Sequence, residues 1–303
     1  MMMIKSLKTA FYVGAALMIS GIGVVHAASQ PVVVELYGKN ACTDDTQVQD
    51  RLLEILQQDK NVILVNCRRL YKGANEDHRY TLDFCNDRVR EYSTKFGYSG
   101  LKTPMIIVNG RWDAFRKDIT PAVKMGETDT VYPITVKVSD GNLDIEIPDI
   151  ESDAQFGSLF LYAYLPTQGK KKIIVDPDVV MTPALEQKIR EKKNVPFVQE
   201  AHVTNFYLRP VIRREVIGSW NGNKVSMTYS LDDITAMAGD RAKDLSYVVV
   251  LQEGGDYGPI IAAGEVVSNA ELVESLPKSE PLEIEYTSYP TPTSAPIATL
   301  PAE

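Results

Sequence analysis

Along residues 31 to 126, short apolar runs alternate with stretches whose apolar residues recur every three or four positions. "PVVVELY" (31–37) is β-branched and too short for a helix, so it predicts a buried strand. Thr43, Asp44 and Thr46 then offer helix caps, Thr46 with Gln49 fits a capping box, and Val48, Leu52, Leu53 and Leu56 follow at helical spacing. "NVILVNC" (61–67) is a second strand ending at Cys67. Leu82, Cys85, Val89, Tyr92 and Phe96 lie on one helical stripe, which predicts a helix over about 81–96 stopped by Gly97. "TPMIIVNGR" (103–111) starts on a proline and turns at Asn109-Gly110, and "DITPAVKMG" (118–126) reads as a short closing helix. Strand–helix–strand–helix–strand–helix is the order of an α/β layer fold.

After Gly126 the pattern changes. "YPITVKV", "NLDIEI", "SLFLYAYL", "KKIIV", "NKVSMTYSL", "LSYVVVLQ" and "GPIIAAGEVV" are strand-length, and Asp140-Gly141 and Asn221-Gly222 are turn signals between them. They predict an antiparallel β-sandwich domain over 127–268. "TPALEQKIREKK" (182–193) reads as one exposed helix between strands. Residues 269–303 turn rich in Pro, Ser, Thr and Glu without a periodic apolar face, which predicts a disordered tail.

Charge and targeting narrow the setting. Lys5 and Lys8, the apolar "AFYVGAALMISGIGVV", and the small residues of Val25-His26-Ala27 form an export signal over residues 1–27. Its removal would take the formal charge of −8 to −10, because the segment holds two lysines and no acid. That charge argues against nucleic acid or anionic lipid as a partner. No later stretch is long and apolar enough to span a membrane. The expected location is across the inner membrane, in the periplasm, where cysteines can pair. Three cysteines follow the signal, Cys42, Cys67 and Cys85, so at least one thiol stays unpaired within a monomer.

The chain resembles the bacterial secreted thioredoxin-like family catalogued as domain of unknown function 1223. "VVVELYGKNAC" is similar to that family's opening strand and cysteine motif, "FCNDRVREY" to its helix, and "LKTPMIIVNGR" to its Thr-Pro strand. "YLRPVIRREVIGSWNG" and "VVVLQEGGDYGPIIAAGEVV" resemble its later blocks, so the likeness covers roughly 31–268. The resemblance implies a thioredoxin-like α/β domain over 28–126, followed by the β-sandwich. Two features depart from the family: "CTDDTQ" puts Asp45 where the second cysteine of C-x-x-C would stand, and the block before the later arginines is reduced to "QEAHVTN", with Glu200 kept. The family has no established activity, so its likeness gives a fold and a compartment rather than a reaction.

Within a thioredoxin-like frame the proline of Thr103-Pro104 is expected to be cis and to lie opposite the helix-start cysteine, where backbone groups can pair with an extended segment. Cys42 is the candidate nucleophile. A helix N-terminus lowers a thiol's pKa, whereas Asp44 and Asp45 beside it would raise it again. Without a second thiol at residue 45 the two-cysteine cycle cannot run inside the motif. Cys67 at a strand end and Cys85 on a buried stripe form the expected disulfide, with 42–67 and 42–85 as the alternatives. His78 and His202 lack ligand spacing, so no metal site is expected. No phosphate loop, dinucleotide fingerprint or nucleophile elbow is present, so no cofactor is expected. Arg209, Arg213, Arg214 and Trp220 read as a solvated strand face with a core tryptophan. Two functions follow. One is a cell-envelope binding or assembly module whose groove beside Pro104 takes an exported protein or extended peptide segment. The other is a one-cysteine thiol–disulfide oxidoreductase acting through a mixed disulfide at Cys42.

Overall fold

The computed structural model describes residues 30–39, 43–69, 80–114, 118–168, 172–175, 207–255, 257–268 and 283–286, with Gln187 besides. The export signal, Cys42, His78, His202, most of the 182–193 helix and most of the 269–303 tail lie outside the described residues.

The chain is mixed α/β, with several sheets and few helices. The first sheet holds β1 (Val32–Lys39), β2 (Val62–Arg69), β3 (Thr81–Leu82), β4 (Met105–Val108) and β5 (Trp112–Ala114), in the order β3-β2-β1-β4-β5. β1 and β2 run parallel, β4 is antiparallel to β1, and β5 is antiparallel to β4. A parallel pair needs a crossover, which α1 (Thr43–Gln58) supplies. α2 (Asp83–Lys95) follows β3, and α3 (Thr120–Gly126) follows β5. α2 ends as its sequence demands: Gly97 takes φ 68°, and Phe96, Gly97 and Tyr98 return their N–H groups to the last turn.

Alternation along β1 sorts its side chains between two different neighbours. Val32, Val34 and Leu36 pack with Val48, Leu52 and Leu56 of α1 and with Val123 of α3. Val33, Glu35 and Tyr37 face the other way, toward α2 and the C-terminal half.

That half holds two larger sheets besides a two-stranded one. One has the order β11-β9-β13-β14-β6, built from β6 (Tyr132–Pro133), β9 (Gly157–Tyr164), β11 (Val211–Trp220), β13 (Ser246–Glu253) and β14 (Ile260–Val266). The other has the order β12-β8-β7, built from β7 (Thr135–Ser139), β8 (Asn142–Ile147) and β12 (Val225–Ser230). Leu159, Leu161, Val249 and Leu251 share one core with Leu143, Ile145 and Ile147 of the three-stranded sheet. Phe160, Tyr162, Tyr164, Val248 and Val250 point the opposite way and pack on Val33, Ile63 and Val65 of the first sheet. The five-stranded sheet is therefore buried on both faces. This explains why "SLFLYAYL" and "SYVVVLQ" are nearly continuous apolar runs rather than alternating ones.

Several elements differ from the sequence reading. α1 begins at Thr43, a turn ahead of the expected capping box, and Gln49 points into the core instead of capping. The 132–138 segment divides between two sheets. Tyr132–Pro133 pairs in parallel with Ala262 and Ala263, and Thr135–Ser139 pairs with β8. α4 (Asp232–Ala238) and a 3-10 turn (Gly239–Asp244) were not foreseen; Leu231, Ile234 and Leu245 carry this link on the sandwiched core. Glu283–Tyr286, within the segment read as tail, forms β15 in parallel with β10 (Lys172–Val175).

At the sheet switch the chains come so close that residue 264 has to be glycine. A Cβ there would sit 2.1 Å from the Ile134 carbonyl oxygen, which is backbone and cannot step aside. Gly264→Ala should lower stability by about 1–3 kcal/mol, as forced overpacking does, measured by equilibrium denaturation.

Candidate functional site

Of the sequence-predicted residues, Thr103, Pro104 and Asp45 lie at one end of the first sheet, and Cys42 is outside the described residues. Gly38 pairs with Arg68 across β1 and β2, and the Tyr37–Met105 pairing sets Pro104 one step beyond, beside Gly38. The Thr103–Pro104 peptide bond is cis. Arg69 ties this corner down, donating from Nη1 to Thr103 Oγ1 and, at 3.3 Å, to the Lys102 carbonyl. The carboxylates expected beside the thiol part company: Asp44 is exposed, whereas Asp45 is buried in the core.

Asp45 faces inward because α1 starts over the end of β2. Asn66 and Arg68 lie on the side of β2 that faces this helix, in step with Val62 and Leu64. Arg68 donates to Asp45 Oδ2 at 2.5 Å, and both side chains are about 2% exposed. Gln49 donates to the same oxygen at 3.0 Å and accepts the Leu208 N–H at 2.8 Å. Asn66 donates to the Leu208 carbonyl at 2.5 Å. Burial pushes the Asp45 carboxyl up from its ordinary value, while the Arg68 charge and the bonds from Arg68, Gln49 and the Lys39 backbone pull it back. Room for the pair comes from Gly38, where a Cβ would lie 2.0 Å from Asp45 Oδ1 and 2.3 Å from Arg68 Nη1.

The opposite face of the sheet carries a second buried cluster. Glu35 accepts from Arg88 Nη2 and from the Tyr37 hydroxyl at 2.6 Å on Oε1, and from the Tyr92 hydroxyl at 2.6 Å on Oε2. Arg88 also donates to the Tyr37 oxygen at 2.7 Å, to the Tyr92 oxygen at 2.9 Å and to Gln252 of β13 at 3.3 Å. Cys67 and Cys85 form a disulfide beside it, with sulfurs 2.11 Å and Cα atoms 5.7 Å apart, both fully buried. The expected 67–85 pairing is the one formed, and Cys42 lies outside the described residues.

Three charged residues of these clusters went unassigned in the sequence. Glu35 was visible as the one acid inside a run of valines. Arg88 falls three residues after Cys85 on the buried stripe, and Arg68 follows Cys67. The arginines in and just before β11 also differ from a solvated face. Arg214 lies over the Phe160 ring at 4.1 Å and Arg209 pairs with Glu265 at 3.4 Å, while Arg213 is exposed. Trp220 is buried, its indole N–H on the Asn223 carbonyl at 2.7 Å. No group of three or more His, Cys, Asp or Glu side chains that could hold a metal occurs among the described residues, and no helix there is long and apolar enough to cross a membrane.

No protein-family model matches the chain, and no curated protein matches it. A crystal structure of a protein from Agrobacterium tumefaciens, solved as a structural genomics target, is similar over 78% of this chain and 94% of that one, with a TM-score of 0.57 and 16% identity. At that identity the likeness is one of fold alone.

Removing one member of a buried ion pair strands the other. Arg68→Met and Asp45→Leu should each cost about 3–5 kcal/mol, and the double variant clearly less than their sum, measured by a denaturation cycle. Tyr37 and Tyr92 are held well above a tyrosine's ordinary value, first by burial, with Glu35 adding to the effect and Arg88 opposing it. The folded chain thus keeps protons that the unfolded chain releases near pH 10. This contribution to stability is complete below about pH 10 and is lost as pH rises toward the folded-state values. Phenolate absorbance should show a late class of tyrosines ionising only with alkaline unfolding, and Tyr92→Phe should shrink that class.

Proposed function

We propose that this chain is an exported thioredoxin-like protein that has kept the fold of a redox enzyme without its two-thiol cycle, and that it serves as a binding or assembly module of the cell envelope. The observation that carries the reading is Asp45. At the position of a resolving thiol stands a carboxylate buried against Arg68, so that position is committed to holding α1 on β2. The remaining bridge, Cys67–Cys85, is buried and closes a loop, as a structural disulfide does.

The order β3-β2-β1-β4-β5, with a parallel pair next to an antiparallel one, supports the thioredoxin-like reading of residues 28–126. The core shared between the five- and three-stranded sheets supports the sandwich reading of 127–268. The resemblance to the family of domain of unknown function 1223 rests on the motifs quoted above. The partner is an exported protein or an extended segment of one, taken in the groove beside Pro104, with Thr103 held by Arg69 at its rim. The second reading, a one-cysteine oxidoreductase working through a mixed disulfide at Cys42, needs a thiolate near neutral pH.

Insulin-type disulfide reduction should show no sustained turnover; turnover like that of a two-cysteine thioredoxin overturns the proposal. Alkylation of Cys42 against pH separates the readings. A midpoint near or above about 8 fits the binding module, and one near 6 or below marks a tuned nucleophile and the oxidoreductase. Asp45→Cys alone should fold poorly, because it strands Arg68. Asp45→Cys with Arg68→Met should fold better and acquire some dithiol activity.

A further inference from the structure

α2 makes contacts with both halves of the molecule. Cys85, Arg88, Val89 and Tyr92 share one buried face, at steps of three and four residues. The first residue of that face is bonded to β2 through the disulfide. The second spans the two halves, since Arg88 holds Glu35 of β1 and, at 3.3 Å, Gln252 at the end of β13. Gln252 passes the contact on, donating to the Gly258 carbonyl at 3.1 Å. Two turns along the helix, Lys95 donates to the Gly110 carbonyl at 2.7 Å and the Tyr257 carbonyl at 3.0 Å, again one from each half. Just beyond, Ile260 N–H reaches the carbonyl of Asn109 in the β4–β5 turn at 2.9 Å.

We propose that the Cys67–Cys85 bridge is the maturation lock of the interdomain contact: its closure fixes α2 so that Arg88 and Lys95 hold the 252–258 loop of the second half on the first. Oxidation removes two electrons and two protons from the thiol pair. By thiol–disulfide exchange they pass to a disulfide of the oxidant, which leaves as a dithiol. In the cell this rests on the export reading, which supplies such an oxidant. In the test tube it does not.

The experiment uses the full mature chain carrying Cys42→Ala, so that only the 67–85 bridge can form. The oxidised protein is compared with protein reduced by dithiothreitol, which becomes its cyclic disulfide, and with Cys85→Ala, followed by amide hydrogen exchange and mass spectrometry. The expected result is exchange at least tenfold faster at 252–258 and 109–110 without the bridge, with 142–147 in the far sheet unchanged. Gln252→Leu, which keeps the bridge and cuts only the far arm of the contact, should also speed exchange at 252–258. Unchanged exchange at 252–258, or an equal rise there and at 142–147, overturns the proposal. None of these readouts depends on Cys42 reactivity or partner binding, so the functional reading can fail while this one stands, and the reverse.

Discussion

Glu35 lies in the central part of β1, about 2% exposed, and a carboxylate placed there has to be answered by the protein itself. Arg88 answers its charge, and two tyrosine hydroxyls take up its remaining acceptor sites. Each partner comes from a different direction: Tyr37 from the same strand, Arg88 and Tyr92 from α2, and Gln252 behind Arg88 from β13. The position of α2 is thus set by a polar requirement and then filled in by apolar packing. Because loss of one member would leave a buried charge, the cluster specifies one arrangement of helix and sheets more sharply than oily contacts do.

The two buried ion pairs divide the labour between the two faces of one sheet. Asp45–Arg68 seats α1 on the face that carries the helix-start position, and Glu35–Arg88 seats α2 and the second half on the other. In a dithiol enzyme the first of these corners has to be open to a substrate and contain a group that can leave its partner. Here it is closed around a glycine with no space for a methyl group. The Asp45–Arg68 pair fills the space beside Gly38 at this corner.

The elements of the first half were largely legible, because each apolar period was long and ended at a turn residue with a physical role, such as Gly97 or Asn109-Gly110. "SLFLYAYL" was legible as a strand, but its burial on both faces was not read from the sequence, because the partner on its second face lies more than ninety residues earlier in the chain and leaves no local mark. α4 went unseen since seven residues carry too few apolar positions to show a period. The division of 132–138 between two sheets depends on where Ala262 and Ala263 pass, which local pattern cannot register. At the candidate site, the absence of a cysteine three residues after Cys42 was plain in the sequence, but what Asp45 does there was not. Asp45 at a helix start reads as a solvated cap, and only the register of β1 and β2 brings Arg68 under it.

The two-sided burial of the five-stranded sheet also bears on the order in which the molecule can be completed. Synthesis delivers the first sheet long before β13 and β14 exist. Until β13 and β14 arrive, the apolar surface of Val33, Ile63 and Val65 lacks the part of its cover that Val248, Val250, Ile260 and Ala263 supply. The first sheet therefore waits on strands made last for part of its cover, and the two halves are completed together rather than one after the other.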